Sequence, residues 1–267
     1  MRLVQFKTTD GDRKVGLVNA DGRTLRVLRD TTRVYDLALE SEQRGGTLAS
    51  LVEERAGAES VDYGQIIAEN RLLLPLDHPD PAHCIVSGTG LDHLGSAQAR
   101  DSMHAKLNTG ELTDSMKMFK LGLEGGKPAP GQVGVAPEWF YKGDGAWIVP
   151  PGQPLESPAF ALDGGEEPEL VGLYVIGKTG NVLRVGFALG NEFSDHVLER
   201  QNYLYLAHSK LRNSSFGPEL LIGEAPANIV GVSRLLRDGK ELWSGEFLTG
   251  EANMTHTIAN IEHHHFK

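Results

Sequence analysis

The stretch GGEEPELVGLYVIGKTGNVLRVGFALGNEFSD, residues 164–195, decides the fold class of this chain. Two apolar runs, Pro168 to Gly177 and Val182 to Leu189, flank Lys178-Thr179-Gly180-Asn181, a short polar link with a glycine where a hairpin turn needs one. The segment reads as a β-hairpin. Side chains on a strand alternate between faces, so Glu167 and Glu169, two apart at the mouth of the first arm, point the same way. The apolar run behind them has to be buried, and carboxylates at the mouth of a buried strand repel unless protons or a cation neutralise them. A hard divalent ion with oxygen ligands is one solution. A solvated strand start beside Glu166 is the other, and spacing alone favours it. Glu192 ends the second, antiparallel arm, where it can return beside the pair or serve as a plain surface turn acid. Three carboxylates with water would suit Mg²⁺ or Mn²⁺.

Outward from the hairpin, turn signals outnumber crossovers. LVQF, KVGLV and TLRVL, separated by Asp10-Gly11 and Asp21-Gly22, predict a three-stranded meander. Weaker helical patterns follow over 35–40 and 47–55. LLLPLDHPDPAH, with Pro75, Pro79 and Pro81, marks a boundary, which sets a small N-terminal α/β module at 1–75 apart from a catalytic domain at 76–267. In the larger part, AHCIVSGTG reads as a strand entering a glycine-rich loop, 93–107 as a helix, and the glycine-rich 122–134 as a mobile loop or lid. A second hairpin turns at Asp238-Gly239, and a helix is expected over 252–266, where Met254, Ile258 and Ile261 keep helical spacing. The fold class is α+β and rich in β-structure.

Composition narrows the function. The 267 residues carry a net charge of −10, which argues against nucleic acid, because phosphate binding needs clustered lysine and arginine. An acidic protein still binds an anionic metabolite if a bound cation inverts the local field. No apolar run approaches the roughly 20 residues that span a bilayer, and the N-terminus lacks an apolar leader, so no membrane role and a cytoplasmic location are expected. Cys84 is the single cysteine, which fits a reducing compartment and reads as a small buried hydrophobe.

From about Ala82 to Phe266 the chain resembles the fumarylacetoacetate hydrolase superfamily, whose members show a Glu-x-Glu strand, then Asn-Asp-x-Ser, then a lysine before Gly-Pro. The matching residues are Glu167-Pro168-Glu169, Asn191-Glu192-Phe193-Ser194, and Lys210 with Gly217-Pro218. Upstream, PEWFYKG resembles the family's Pro-x-Phe-x-Lys segment and ends on Lys142. The resemblance implies a mixed β-roll and sandwich, with Mg²⁺ (or Mn²⁺) held by Glu167, Glu169 and Glu192. It further implies Lys210 as catalytic base or anchor and Lys142, Ser194 and Thr249 as substrate contacts, in a protein that is a homodimer. The family's Gly-Asp-bearing strands that follow the last helix are not in the sequence, so either the chain is shortened or its natural end lies further on.

Two departures steer the chemistry. Glu192 stands where the family usually has Asp, which keeps the charge count with one more methylene. Hydrolytic members carry a His-x-x-Glu dyad; here His93 is present but Ser96 takes the place of the glutamate, so hydrolysis of a carbon–carbon bond is disfavoured. The segments GTGLDHLGSAQARDSMH, GNEFSDHVLERQNYLYLAHSKLR and EANMTHTIANIEHHHF resemble a branch linked to bacterial sugar-acid catabolism. The expected activity is dehydration of a small 2-keto acid, a 2-keto-3-deoxypentonate such as 2-keto-3-deoxy-L-arabonate, with His93 protonating the departing hydroxyl. Alternatives are a 2,4-diketo acid hydrolase or oxaloacetate-type decarboxylase on the same scaffold, and a non-catalytic sugar-acid-binding protein. His263, His264 and His265 are read as structural or surface residues, since neighbours on a helix point about 100° apart. His104 and His208 are read as core or surface residues, and the Arg100-Asp101 pair as a helix-surface feature.

Overall fold

The computed structural model describes residues 1–95 and 112–267. The helix expected over 93–107 falls, from Ser96 onward, outside these residues, as do Arg100, Asp101 and His104. The chain forms two compact units, Met1–Val86 with Tyr141–Ala225, and Ser87–Phe140 with Pro226–Lys267.

The first unit is built on one antiparallel sheet. Its opening meander is as expected: β1 (Arg2–Lys7), β2 (Arg13–Val18) and β3 (Thr24–Leu28) turn on Gly11 and Gly22, both at positive φ. The sheet gains β4 (Ala56–Asp62) beyond β3. Helices α1 (Val34–Gln43) and α2 (Leu48–Arg55) lie where the periodicity put them, α2 being capped by the Thr47 side chain, which accepts from the Ser50 amide. A short α3 (Tyr63–Ala68) follows β4. Strands β5 (Ile85–Gly90) and β6 (Glu138–Asp144) pair with each other. The decisive hairpin is β7 (Pro168–Ile176) and β8 (Val182–Asn191), turning through Gly180 at φ 84°. Two short strands follow, β9 (Ser215–Phe216) beside β8 and β10 (Leu220–Leu221) between β8 and β1, so the path runs β4-β3-β2-β1-β10-β8-β7. Residues 1–75 and the glutamate-bearing hairpin therefore share a sheet. Leu3, Val15, Leu17, Leu173, Val175, Val185 and Leu220 pack with α1 and α2 residues Leu37 and Leu51 in one buried cluster. Burial of these side chains, at about 1.5–3 kcal/mol each, outweighs what the strand propensities alone supply.

The second unit contains α4 (Asp114–Gly125), the hairpin β11 (Ile229–Arg237) with β12 (Lys240–Thr249), and α7 (Ile258–Phe266). Two expectations are corrected here. Gly122 and Gly125 belong to α4 rather than to a loop. A Cβ on Gly122 would lie 2.7 Å from the Thr255 hydroxyl and 2.9 Å from the His256 ring, so glycine lets the helix pack there. The last helix begins only at Ile258, capped by Thr257, because Ala252 and Asn253 are drawn into bonds with Ala227 and Asn228. The β11–β12 turn sits at Asp238-Gly239, as expected, with both residues at positive φ. Among the described residues no helix is long and apolar enough to cross a membrane.

Candidate metal centre

Pro168 pairs with Asn191 and Glu169 with Gly190, and the Glu192 amide donates 2.8 Å to the Glu167 carbonyl. Glu167 and Glu192 are thus directly opposite, and cross-strand partners project to the same side. Glu169, two along from Glu167, shares that face. The three side chains each present a carboxylate oxygen within 4.8 Å of the others.

This gathering depends on one extra residue. Near the turn Tyr174 faces Arg184, but toward the site Leu173 faces Gly186, so Val185 is a bulge in β8. Carried through unshifted, the turn-side register would set Glu167 opposite Asn191 and send Glu192 to the other face. Gly186 permits the bulge's close neighbour: a Cβ there would lie 2.1 Å from the Leu221 carbonyl oxygen of β10.

Cations answer the carboxylates. Lys210 closes the short helix α6 (Leu206–Lys210), and its Nζ donates to both Glu167 oxygens at 2.8 Å. It stands 3.6 Å from Glu192 Oε1, and Lys142 Nζ stands 3.7 Å away on β6. His196, first residue of α5 (His196–Gln201), places Nε2 2.7 Å from Glu167 Oε1. Its ring lies over Gly165, whose missing Cβ would sit 2.3 Å from His196 Cε1, and Phe193 uses the space over Gly164 in the same way. Asn191 fixes the strand mouth: its Oδ1 accepts from the Glu167 amide at 3.1 Å, and its Nδ2 donates to Glu166.

The charges respond to burial and to each other. Burial pushes Glu192 up to about 7, with Glu167 adding repulsion and Lys210 and Lys142 opposing it. Burial would also raise Glu167, but Lys210 and His196 hold it below the usual carboxylate range. Burial lowers Lys142 to about 8, against the pull of Glu192. Lys210 goes the other way, because Glu192 and Glu167 overcome its desolvation and raise it. Glu192 Oε1 is buried and has no hydrogen-bond partner among the described residues. A buried carboxylate oxygen in that state is costly, and a hard cation would satisfy it. Two ligands of an ion with 2.0–2.5 Å bonds lie at most about 4–5 Å apart, so carboxylate oxygens within 4.8 Å of one another can close on one such ion with small side-chain shifts.

No family model matches the chain, and no curated protein matches it. Solved structures do. An apo form of 2-keto-3-deoxy-D-arabinonate dehydratase aligns over 100% of this chain and 83% of its own, with a TM-score of 0.68 at 18% identity. The same enzyme complexed with magnesium and 2,5-dioxopentanoate aligns over 98% and 82%, with a TM-score of 0.63 at 18% identity. Fumarylacetoacetate hydrolase from psychrophilic Exiguobacterium antarcticum aligns over 100% and 81%, with a TM-score of 0.59 at 17% identity. The chain shares the fold of these dehydratase and hydrolase structures.

Within that fold, the first unit brings together Glu167, Glu169, Glu192, Lys210, Lys142 and Ser194. Two of these also bond the protein's own backbone. Ser194, expected to meet substrate, is fully buried, and its hydroxyl donates to the Glu192 carbonyl at 2.9 Å. Lys142 is 3% exposed and spends two donors on the Phe193 and Lys210 carbonyls. His93 and Thr249 belong to the second unit, where His93 Nε2 donates to the Leu248 carbonyl, one residue before Thr249. His196, Asp195 and Arg212 carry no role in the sequence reading. Gly165 is a signal for His196 alone, since a glycine before Glu-x-Glu leaves room for a close side-chain approach.

Proposed function

We propose that this chain is a divalent-metal-dependent lyase that removes water from a 2-keto-3-deoxy sugar acid, a 2-keto-3-deoxypentonate being the expected substrate. The observation that carries the reading is the three-carboxylate face of the β7–β8 hairpin with Lys210 seated between Glu167 and Glu192. Support comes from a fold shared with a dehydratase solved with magnesium and 2,5-dioxopentanoate. Bound to Glu167, Glu169 and Glu192, Mg²⁺ or Mn²⁺ would supply Lewis-acid polarisation of a 2-keto acid held through its carboxylate and keto oxygens. As the ammonium, Lys210 is the group to steady charge on the keto oxygen as the C3–H bond breaks; it would accept that proton only as the neutral amine, the form that the charge of a bound cation favours. His196, bonded to Glu167, keeps that carboxylate oriented. The C4 hydroxyl leaves as water, a C3–C4 double bond remains, and His93 and Thr249 are the expected proton donor and substrate contact. Ser96, where hydrolytic relatives carry glutamate, favours elimination over hydrolysis.

Product analysis by proton NMR tests this, with Mg²⁺ or with EDTA. Loss of water from a 2-keto-3-deoxypentonate, abolished by EDTA, is expected. Cleavage of a 2,4-diketo acid or loss of CO₂ from oxaloacetate, with the pentonate untouched, would replace the lyase by a hydrolase or decarboxylase. Saturable binding without turnover would favour a sugar-acid-binding protein.

A further inference from the structure

We infer that Lys142 and the Asp195–Arg212 pair form a buried clamp that sets the spacing of Glu192, His196 and Lys210, and that Lys142 is a positioning residue rather than a substrate ligand. A lysine that binds an anionic substrate keeps its ammonium donors pointed at an open site. Lys142 does not. Of its three donors, one meets the Phe193 carbonyl at 2.8 Å and another the Lys210 carbonyl at 2.9 Å. Those carbonyls belong to the two segments that carry the site: Phe193 follows Glu192, and Lys210 is itself a site residue.

The same two segments are tied again a few residues on. The Asp195 amide donates to the Ser209 carbonyl at 3.1 Å. Asp195 Oδ2 takes the Arg212 guanidinium at 3.1 Å and the Leu162 amide at 2.8 Å, while Oδ1 caps α5 through the Leu198 amide at 2.9 Å. Arg212 also donates to the His208 and Leu211 carbonyls at 3.2 and 2.9 Å. Asp195 is fully buried and Arg212 is 1% exposed. A buried pair of this kind adds little net stability over apolar packing, so its presence is better explained by the geometry it imposes. Four backbone carbonyls accept from two cations, one of which also holds the carboxylate that caps α5, and the three groups around the carboxylate face follow from where those segments stop.

The inference rests on the metal-centre reading for its functional consequence, and the clamp itself rests on geometry alone. Hydrogen exchange with mass spectrometry tests the clamp, and Mn²⁺ titration followed by electron paramagnetic resonance tests the consequence. In Lys142→Met, amides in 193–198 and 209–212 should exchange at least about tenfold faster, with the β1–β3 meander unchanged. In Arg212→Lys, which leaves the charge beside Glu192 unchanged, the Mn²⁺ Kd should rise about 10- to 100-fold, the range for losing a residue that orients metal ligands. Arg212→Lys keeps the charge but not the fork, and should loosen the same segments; it decides the matter if Lys142→Met does not fold. Two results would overturn the clamp: unchanged exchange with only the substrate KM raised, or protection lost evenly across the whole unit. A wild-type protein that binds no Mn²⁺ would remove the metal reading, with the exchange pattern still deciding the clamp. Metal binding without turnover would remove the lyase reading alone.

Discussion

Replacing Lys210 by Met removes one charge at nearly constant volume. The ammonium is 7% exposed and donates to both Glu167 oxygens at 2.8 Å, with Glu192 Oε1 3.6 Å away. At an effective dielectric of about 20, the attraction is worth roughly 6 kcal/mol to Glu167 and roughly 4.5 kcal/mol to Glu192 before desolvation. Breaking a buried pair by deleting one partner costs about 3–5 kcal/mol, because the other charge stays behind. His196 still holds Glu167 and Lys142 still faces Glu192, so the lower end applies: about 3 kcal/mol, or about 6–12 °C in Tm for a domain of 150–250 residues. That loss should appear with EDTA. A divalent ion replaces the missing charge, so saturating Mg²⁺ should raise the Tm of the variant by several degrees more than that of the wild type, while turnover falls by orders of magnitude. Calorimetry across a Mg²⁺ series measures both. If the Mg²⁺-induced shift in Lys210→Met is no larger than in the wild type, Lys210 and the ion do not compete for the same carboxylates and the electrostatic reasoning here fails.

Other perturbations address single links in the argument. Gly165→Ala would put a methyl 2.3 Å from His196 Cε1, forcing the ring off Glu167, so stability should fall by about 1–3 kcal/mol and Mn²⁺ affinity with it; unchanged affinity would free His196 of any part in the site. Deleting Val185 takes out the extra residue yet still pairs Leu173 with Gly186 and Glu167 with Glu192, so the Tm should keep its response to Mg²⁺, and a lost response would show that the bulge shapes the site beyond setting the register. In the second unit, burial raises Asp92 to about 6, with the Thr89 hydroxyl opposing through a hydrogen bond. An acid whose folded pKa exceeds its unfolded value costs stability as pH rises from about 4 through 6. Asp92→Asn, still able to accept from Thr89, should therefore gain about 1–3 kcal/mol at pH 8 and almost nothing at pH 4; urea denaturation with equal gains at both values would contradict this.

Much of the site was legible because the relevant signals are local. Alternation put Glu167 and Glu169 on one face, and a polar tetrapeptide with one glycine returned the chain toward Glu192. What stayed hidden was long-range. Lys142 donates to carbonyls of residues 51 and 68 positions away, a tie that no local pattern announces. His196 gave no sign of its role because its partner is 29 residues back and its room comes from Gly165. Gly122 and Gly125 looked like loop residues because glycine lowers helix propensity, yet Gly122 is where α4 meets Thr255 and His256.

The amino-acid sequence by itself determined the hairpin, the meander, the acidic character of the strand mouth and the resemblance to a superfamily, since each depends on residues near one another or on motif order. Only the tertiary structure decided that the three carboxylates meet. Pairing on one face is a matter of register, and register here depends on a bulge at Val185 that close passage of β10 by Gly186 accompanies. A one-residue slip changes no composition and no pattern, but it sends Glu192 to the far side of the sheet.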